Sequence, residues 1–149
     1  MSSVEFFNMV KDHLTENGVM VVNMNMRGSG EGNINQYLSD TIASVFGTVY
    51  TADVKGFTNR ELFASDNADM LENLKNNAGN LANADLQNMM HAVADASTQY
   101  QGGDYIMTDD KAPVELLGMQ VIDQLIQDEV AYYKGIYAEQ GLDGLLQSL

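Results

Sequence analysis

The stretch Gly18 to Ser65, GVMVVNMNMRGSGEGNINQYLSDTIASVFGTVYTADVKGFTNRELFAS, reads as strand, glycine-rich loop, helix, strand, tight connection, strand. Gly18 to Met26 is the first strand. Its continuously apolar half, Val19 to Val22, has the pattern of a strand covered on both faces. Arg27 to Asn33 holds three glycines and forms a loop. Ile34, Leu38, Ile42, Val45 and Phe46 recur on or near one face, which predicts a helix from Ile34 to Phe46, ended by Gly47. Thr48 to Val54 is β-rich. Lys55 to Thr58 is too short for a parallel crossover, which needs a dozen residues or more. Arg60 to Ala64 should therefore run antiparallel to Thr48–Val54. That order fits the closing half of an open α/β sheet.

Outward from this stretch, Val4, Phe7, Val10 and Leu14 predict an amphipathic helix over Val4–Asn17, stopped at Asn17-Gly18. On the other side, Asn67 to Ser97 is rich in Ala, Leu, Met and Asn, which reads as two helices broken near Gly79. Gln101-Gly102-Gly103 is a break, and Asp104 to Met107 a short extended piece. Thr108 to Pro113 is a helix entrance, and helix continues to Tyr133, with Gly135 and Gly141 punctuating the tail. The expected organisation is one compact domain: residues 1–65 as a partial Rossmann-like sheet unit, with the mainly helical residues 66–149 packed on it.

A length of 149 residues with 45% hydrophobic content suffices for a real core. No apolar run is long enough to span a membrane, and the first residues lack a secretory pattern, so a cytoplasmic location is expected. The absence of cysteine excludes disulfides and thiolate zinc sites. Twenty-one acidic residues against seven scattered basic ones give a net charge of −14, which argues against a nucleic-acid partner; it serves either solubility or the attraction of cations such as polyamines.

Gly28-x-Gly30-x-Gly32 lies between a strand and a helix, as a dinucleotide or S-adenosylmethionine loop does, and Asp53 ends the next strand, where a ribose-binding acid belongs. Against that, Asn33 stands where the third glycine of the dinucleotide pattern would be, Met26 stands where an acid is expected, and the next strand turns straight back. A plain glycine loop explains the same residues. Asp109, Asp110 and Glu115 surround the single proline, Pro113. They are either a helix cap or carboxylates facing a cationic amine. Asn23 and Asn25 alternate at the C-terminal end of the first strand, where open sheets place ligands; they either touch a substrate or satisfy loop backbone groups. His13 and His91 have no second ligand at metal spacing, and no metal is expected.

Two groups of segments carry a resemblance. Glu5-Phe6-Phe7, Gly18 to Asn25, Tyr37 to Phe46, Val49 to Val54 and Thr58 to Ala64 form the first. Thr108 to Glu115, TDDKAPVE, is the second and more specific. Together they resemble the C-terminal half of spermidine synthase-like proteins, the polyamine aminopropyltransferase family, whose Rossmann-like fold is that of S-adenosylmethionine methyltransferases. The resemblance implies that Val19–Met26 is the fifth of seven strands and that the hairpin at 48–64 supplies the last two. In the family the nucleoside loop, the ribose-binding acid and the catalytic aspartate loop precede this point, so no catalytic residue is carried over.

The expectation is a spermidine synthase-like closing half that is not catalytic alone. It would use no cofactor by itself, and decarboxylated S-adenosylmethionine or S-adenosylmethionine once completed. The hydrophobic edge of its first strand would invite self-association or a partner supplying the other half. Two rivals use other residues. One is a nucleoside-binding, methyltransferase-like enzyme built on Gly28, Gly30, Gly32 and Asp53. The other is a non-enzymatic interaction module built on the helices at 67–97 and 113–147.

Overall fold

The computed structural model describes residues 2–25, 31–54 and 59–148. The element order is α1 (Val4–Asp12), β1 (Met20–Asn25), α2 (Ile34–Ala43), β2 (Thr48–Asp53), β3 (Asn59–Ser65), α3 (Met70–Gly79), α4 (Ala84–Ala96), β4 (Thr98–Gln99) and α5 (Val114–Ser148). Two compact units result, one up to Pro113 and one from Val114 onward.

In the first unit the sheet order is β1-β3-β2-β4. β3 runs antiparallel to both β1 and β2, with Val21 opposite Phe63 and Phe63 opposite Tyr50. β1 and β2 are therefore parallel to each other with β3 between them, and α2 is their crossover. This is α/β architecture of the kind that closes a Rossmann-like sheet. The antiparallel pairing of Arg60–Ala64 follows the expectation drawn from the short connection, whose residues 55–58 lie outside the described residues.

One sheet face carries the core. Met24, Leu62, Val49 and Ala64 pack there with Phe7 of α1, Ile42 of α2, and Val45 and Phe46. The side-chain alternation of a strand puts Val19, Val21, Phe63 and Tyr50 on the opposite face. α3 and α4 lie over that face at Tyr50 and Phe63, leaving a groove of about 630 Å³ whose walls include Leu71, Leu74, Met90 and Val93. At β1 the face is open: Val19 is 40% and Val21 56% exposed. Among the described residues of this unit, the apolar run at Val19–Val22 thus belongs to a strand whose second face is left open at Val19 and Val21.

Helix ends differ from expectation where capping chemistry intervenes. Ser3 caps α1 by accepting from the Phe6 N–H, and the helix stops at Asp12 rather than Asn17. The Gly18 N–H bonds to the Thr15 carbonyl in a separate turn. Asn33 caps α2 through the Gln36 N–H, and α2 ends at Ala43, short of Phe46. The pair of helices expected over Asn67–Ser97 is present as α3 and α4, with the break just after Gly79. α5 passes through Gly135 and is interrupted at Gly141, whose φ of 67° and ψ of −160° are non-helical.

Candidate functional site

The polar chemistry of the first unit concentrates where residues 100–111 cross α2 and reach the start of α1. Asp40 of α2 is 1% exposed, yet its carboxylate is filled. Its Oδ1 accepts from the Tyr100 hydroxyl at 2.6 Å and the Gly103 N–H at 3.0 Å, and its Oδ2 accepts from the Tyr105 N–H at 3.1 Å. Three donors offset the desolvation of a buried carboxylate. A Cβ on Gly103 would lie 2.7 Å from the Asp40 Oδ2, so only glycine lets the backbone come this close. At the next residue, the Thr41 hydroxyl donates to the Tyr37 carbonyl and accepts from the Met107 N–H at 2.9 Å. Met107 is fully buried, and its carbonyl accepts from the Val4 N–H. The segment 104–107, expected to be extended, forms no strand. These side-chain bonds hold its backbone instead of a ladder.

Burial and the Asp40 hydrogen bond both push the Tyr100 hydroxyl above its ordinary range. Tyr105 packs against Tyr37 with ring centroids 4.9 Å apart and planes inclined at 60°, and its hydroxyl donates to Glu31 at 3.0 Å. That hydrogen bond holds the Tyr105 phenol in its neutral form and raises its pKa. The Tyr105 ring also lies over Gly32, whose φ is +72° and whose N–H bonds to the Gln36 side chain at 2.8 Å. The end of the glycine loop is therefore tied to residues more than seventy positions later. Gly28 and Gly30 lie outside the described residues.

The TDDKAPVE segment reaches the same place. Thr108 and Lys111 form an isolated bridge around a turn at Asp109-Asp110. Asp109 accepts a hydrogen bond from the hydroxyl of Ser3, the cap of α1, and its own N–H donates to Glu5 at 3.0 Å. The helix start that Asp109 supports is thus that of α1. Asp110 is exposed in the turn, and Glu115 is exposed in the first turn of α5.

Asn23 accepts from the Asn59 amide at 2.9 Å across β1 and β3, and Asn25 pairs with Asn59 in the strand register. Asp53 is exposed and held by Nε and Nη2 of Arg60, at 2.5 and 3.0 Å, which lowers its pKa. β3 separates its strand from the one that leads into the glycine loop. Among the described residues no three His, Asp, Glu or Cys side chains gather at metal-binding distance.

The structure therefore joins Asp109 with Ser3 and Glu5, and Gly32 with Tyr105, Glu31 and Gln36. It leaves Asp53 with Arg60. Sequence reasoning missed Asp40, Tyr100 and Tyr105. The available signal was an aspartate and a threonine, Asp40-Thr41, beside the apolar stripe of α2, where a solvent-facing helix would more simply place them outside.

Fold and site define a class, the closing part of a Rossmann-like α/β sheet with a polar strap across its last parallel crossover. Over all of its length the chain is 47% identical to "Probable polyamine aminopropyl transferase" of Bifidobacterium longum, in an alignment of 166 residues. The likeness thus runs over the whole chain, including residues 66–104 that the two motif groups leave out, and the chain spans 37% of the length of that relative. No family model and no solved structure matches the chain.

Proposed function

We propose that this chain acts as the closing part of a polyamine aminopropyltransferase and is not catalytic alone, its nucleoside-binding half pairing with the open edge of β1. The observation that carries the reading is the position of β1. It is outermost in the sheet, bonded to β3 on one side only, with Val19 and Val21 exposed beside it. An unpaired apolar strand edge is a template for another strand. The completed assembly would take decarboxylated S-adenosylmethionine and a diamine such as putrescine, releasing methylthioadenosine and the aminopropylated amine. Exposed Asp110 is the foremost amine contact from this chain, with Asp109, Glu115, Asn23 and Asn25 as the further candidates. The fixed carboxylates around the strap, and the net charge of −14, support a cationic substrate.

Reconstitution tests this. The chain is mixed with a polypeptide covering the region of the Bifidobacterium longum relative that it does not match. Complex formation is followed by sedimentation, and transfer by product analysis. A stoichiometric complex that makes spermidine, with neither piece active alone, is the expected result. Turnover by this chain alone, or no complex at all, would overturn the reading.

A further inference from the structure

The two helices next to β1 in the chain lie on the same side of the sheet. α1, which leads into β1, places Phe7 in the core beside Ile42 of α2, which joins β1 to the parallel strand β2. A crossover between parallel strands is right-handed in nearly every fold, so strands wound in the opposite direction from β1 carry their helices on the opposite face. Among the described residues of this unit that face is open at β1, where Val19 and Val21 are exposed. The groove under the α3–α4 hairpin continues it. Val19 lines the groove together with Tyr50 and Phe63, so the floor runs from beneath the hairpin out to the open side of β1. None of the described residues that line the groove is charged, in a chain whose net charge is −14. Asn73 and Asn77, one turn apart on α3, are among its exposed polar members.

We infer that one amphipathic helix of the nucleoside half lies along the open face of β1 and sets its apolar side chains into this groove, which makes the α3–α4 hairpin a docking element of the assembly. The inference rests on the function proposed above and adds a second contact to it: the edge of β1 takes a strand, and its open face with the groove takes a helix. The polypeptide that has to supply that helix is large, since this chain spans only 37% of the length of its relative. Right-handed winding puts that polypeptide's helices on this face and not on the side of α1 and α2. A lining without charge matches the apolar stripe of such a helix, whose charged residues lie on its other side. A volume of about 630 Å³ would also hold a small molecule. A small-molecule site encloses its ligand, however, whereas this floor runs on to exposed Val21.

The test uses the full chain and the nucleoside-half polypeptide of the reconstitution. Asn73→Lys with Asn77→Lys brings charge to the neutral lining at exposed positions, so the circular dichroism melt of the chain should not change. Binding of the nucleoside half should weaken by more than about tenfold, because the lysines would be desolvated under the helix. Glu72→Gln with Asn76→Lys alters the net charge equally on residues of α3 that do not line the groove, and should bind as wild type does. The chain has no cysteine, so Asn77→Cys takes a single benzophenone label. Irradiating the complex should join that label to one segment of the nucleoside half with apolar residues at helical spacing, and a label at Lys75→Cys should not reach it. Wild-type affinity in the double lysine variant, with Val21→Lys still weakening the complex, would overturn the docked helix and leave the strand junction standing. Absence of any complex would overturn both. Equal losses in the charge-matched control, or a crosslink from Asn77→Cys back to this chain, would overturn the docked helix. So would a neutral hydrophobic dye held as tightly by the complex as by the free chain, which would give the groove to a small molecule. Self-association of the free chain that the double lysine variant abolishes would give it to a second copy and likewise overturn the proposal.

Discussion

Asp40 Oδ1 accepts from two donors and Oδ2 from one, so substitutions at this position separate the two oxygens. Asn can keep the Tyr100 and Gly103 bonds through its carbonyl oxygen while its amide faces the Tyr105 N–H. Asp40→Asn should cost about 1–2 kcal/mol in urea unfolding, and Asp40→Ala, which strands all three donors, about 3 kcal/mol or more. Equal losses for the two variants would mean that the strap is not held by these bonds. Tyr100 gives a second readout. Its folded pKa is raised above 10.0, so the stability it contributes is fully present below pH 10 and is lost as pH rises beyond that. Wild type should therefore lose its advantage over Tyr100→Phe in the alkaline range, with the gap unchanged between pH 6 and 9. A gap that widens above pH 10 would contradict the Asp40–Tyr100 bond.

At the scale of elements, β1 is strongly determined on one side and open on the other. Met24 is fully buried in the core, whereas Val21, three residues earlier and on the opposite face, is 56% exposed. Val21→Lys should change the stability of this chain by no more than about 0.5 kcal/mol, because the position is solvated. The same change should weaken binding of the nucleoside-half polypeptide by more than tenfold, since a lysine would be desolvated at the junction. Thermal melts and a binding titration check the two halves of the prediction separately. Unimpaired binding would move the junction away from β1. The α3–α4 hairpin lies over Tyr50 and Phe63, and Val21 on the neighbouring strand stays exposed.

For the whole molecule, the proposed division of labour predicts that nucleosides bind only after assembly. A ligand at 100 times its dissociation constant stabilises a folded protein by about 2.7 kcal/mol. Methylthioadenosine should therefore leave the melting temperature of the isolated chain unchanged and raise that of the reconstituted complex by several degrees. A shift in the isolated chain would return the glycine loop, with Gly32 anchored beside Tyr105, to the position of a binding site.

What the amino-acid sequence determined by itself was whatever depends on neighbours along the chain. The strand–loop–helix–strand–strand order, the antiparallel return of β3, the break after Gly79 and the kinship carried by TDDKAPVE were all legible, because periodicity, a four-residue connection and a helix stop are local signals. Only the tertiary structure decided where polar side chains go when they meet partners far along the chain. Asp40 lies sixty residues or more from its three donors, and Asp109 more than a hundred from Ser3. Coverage of the sheet was equally hidden. Val19 to Val22 reads as a strand buried on both faces, yet whether a second layer reaches β1 depends on packing and not on the run itself. A buried aspartate and an exposed one look alike in sequence, since the difference lies in the donors that the fold brings to them.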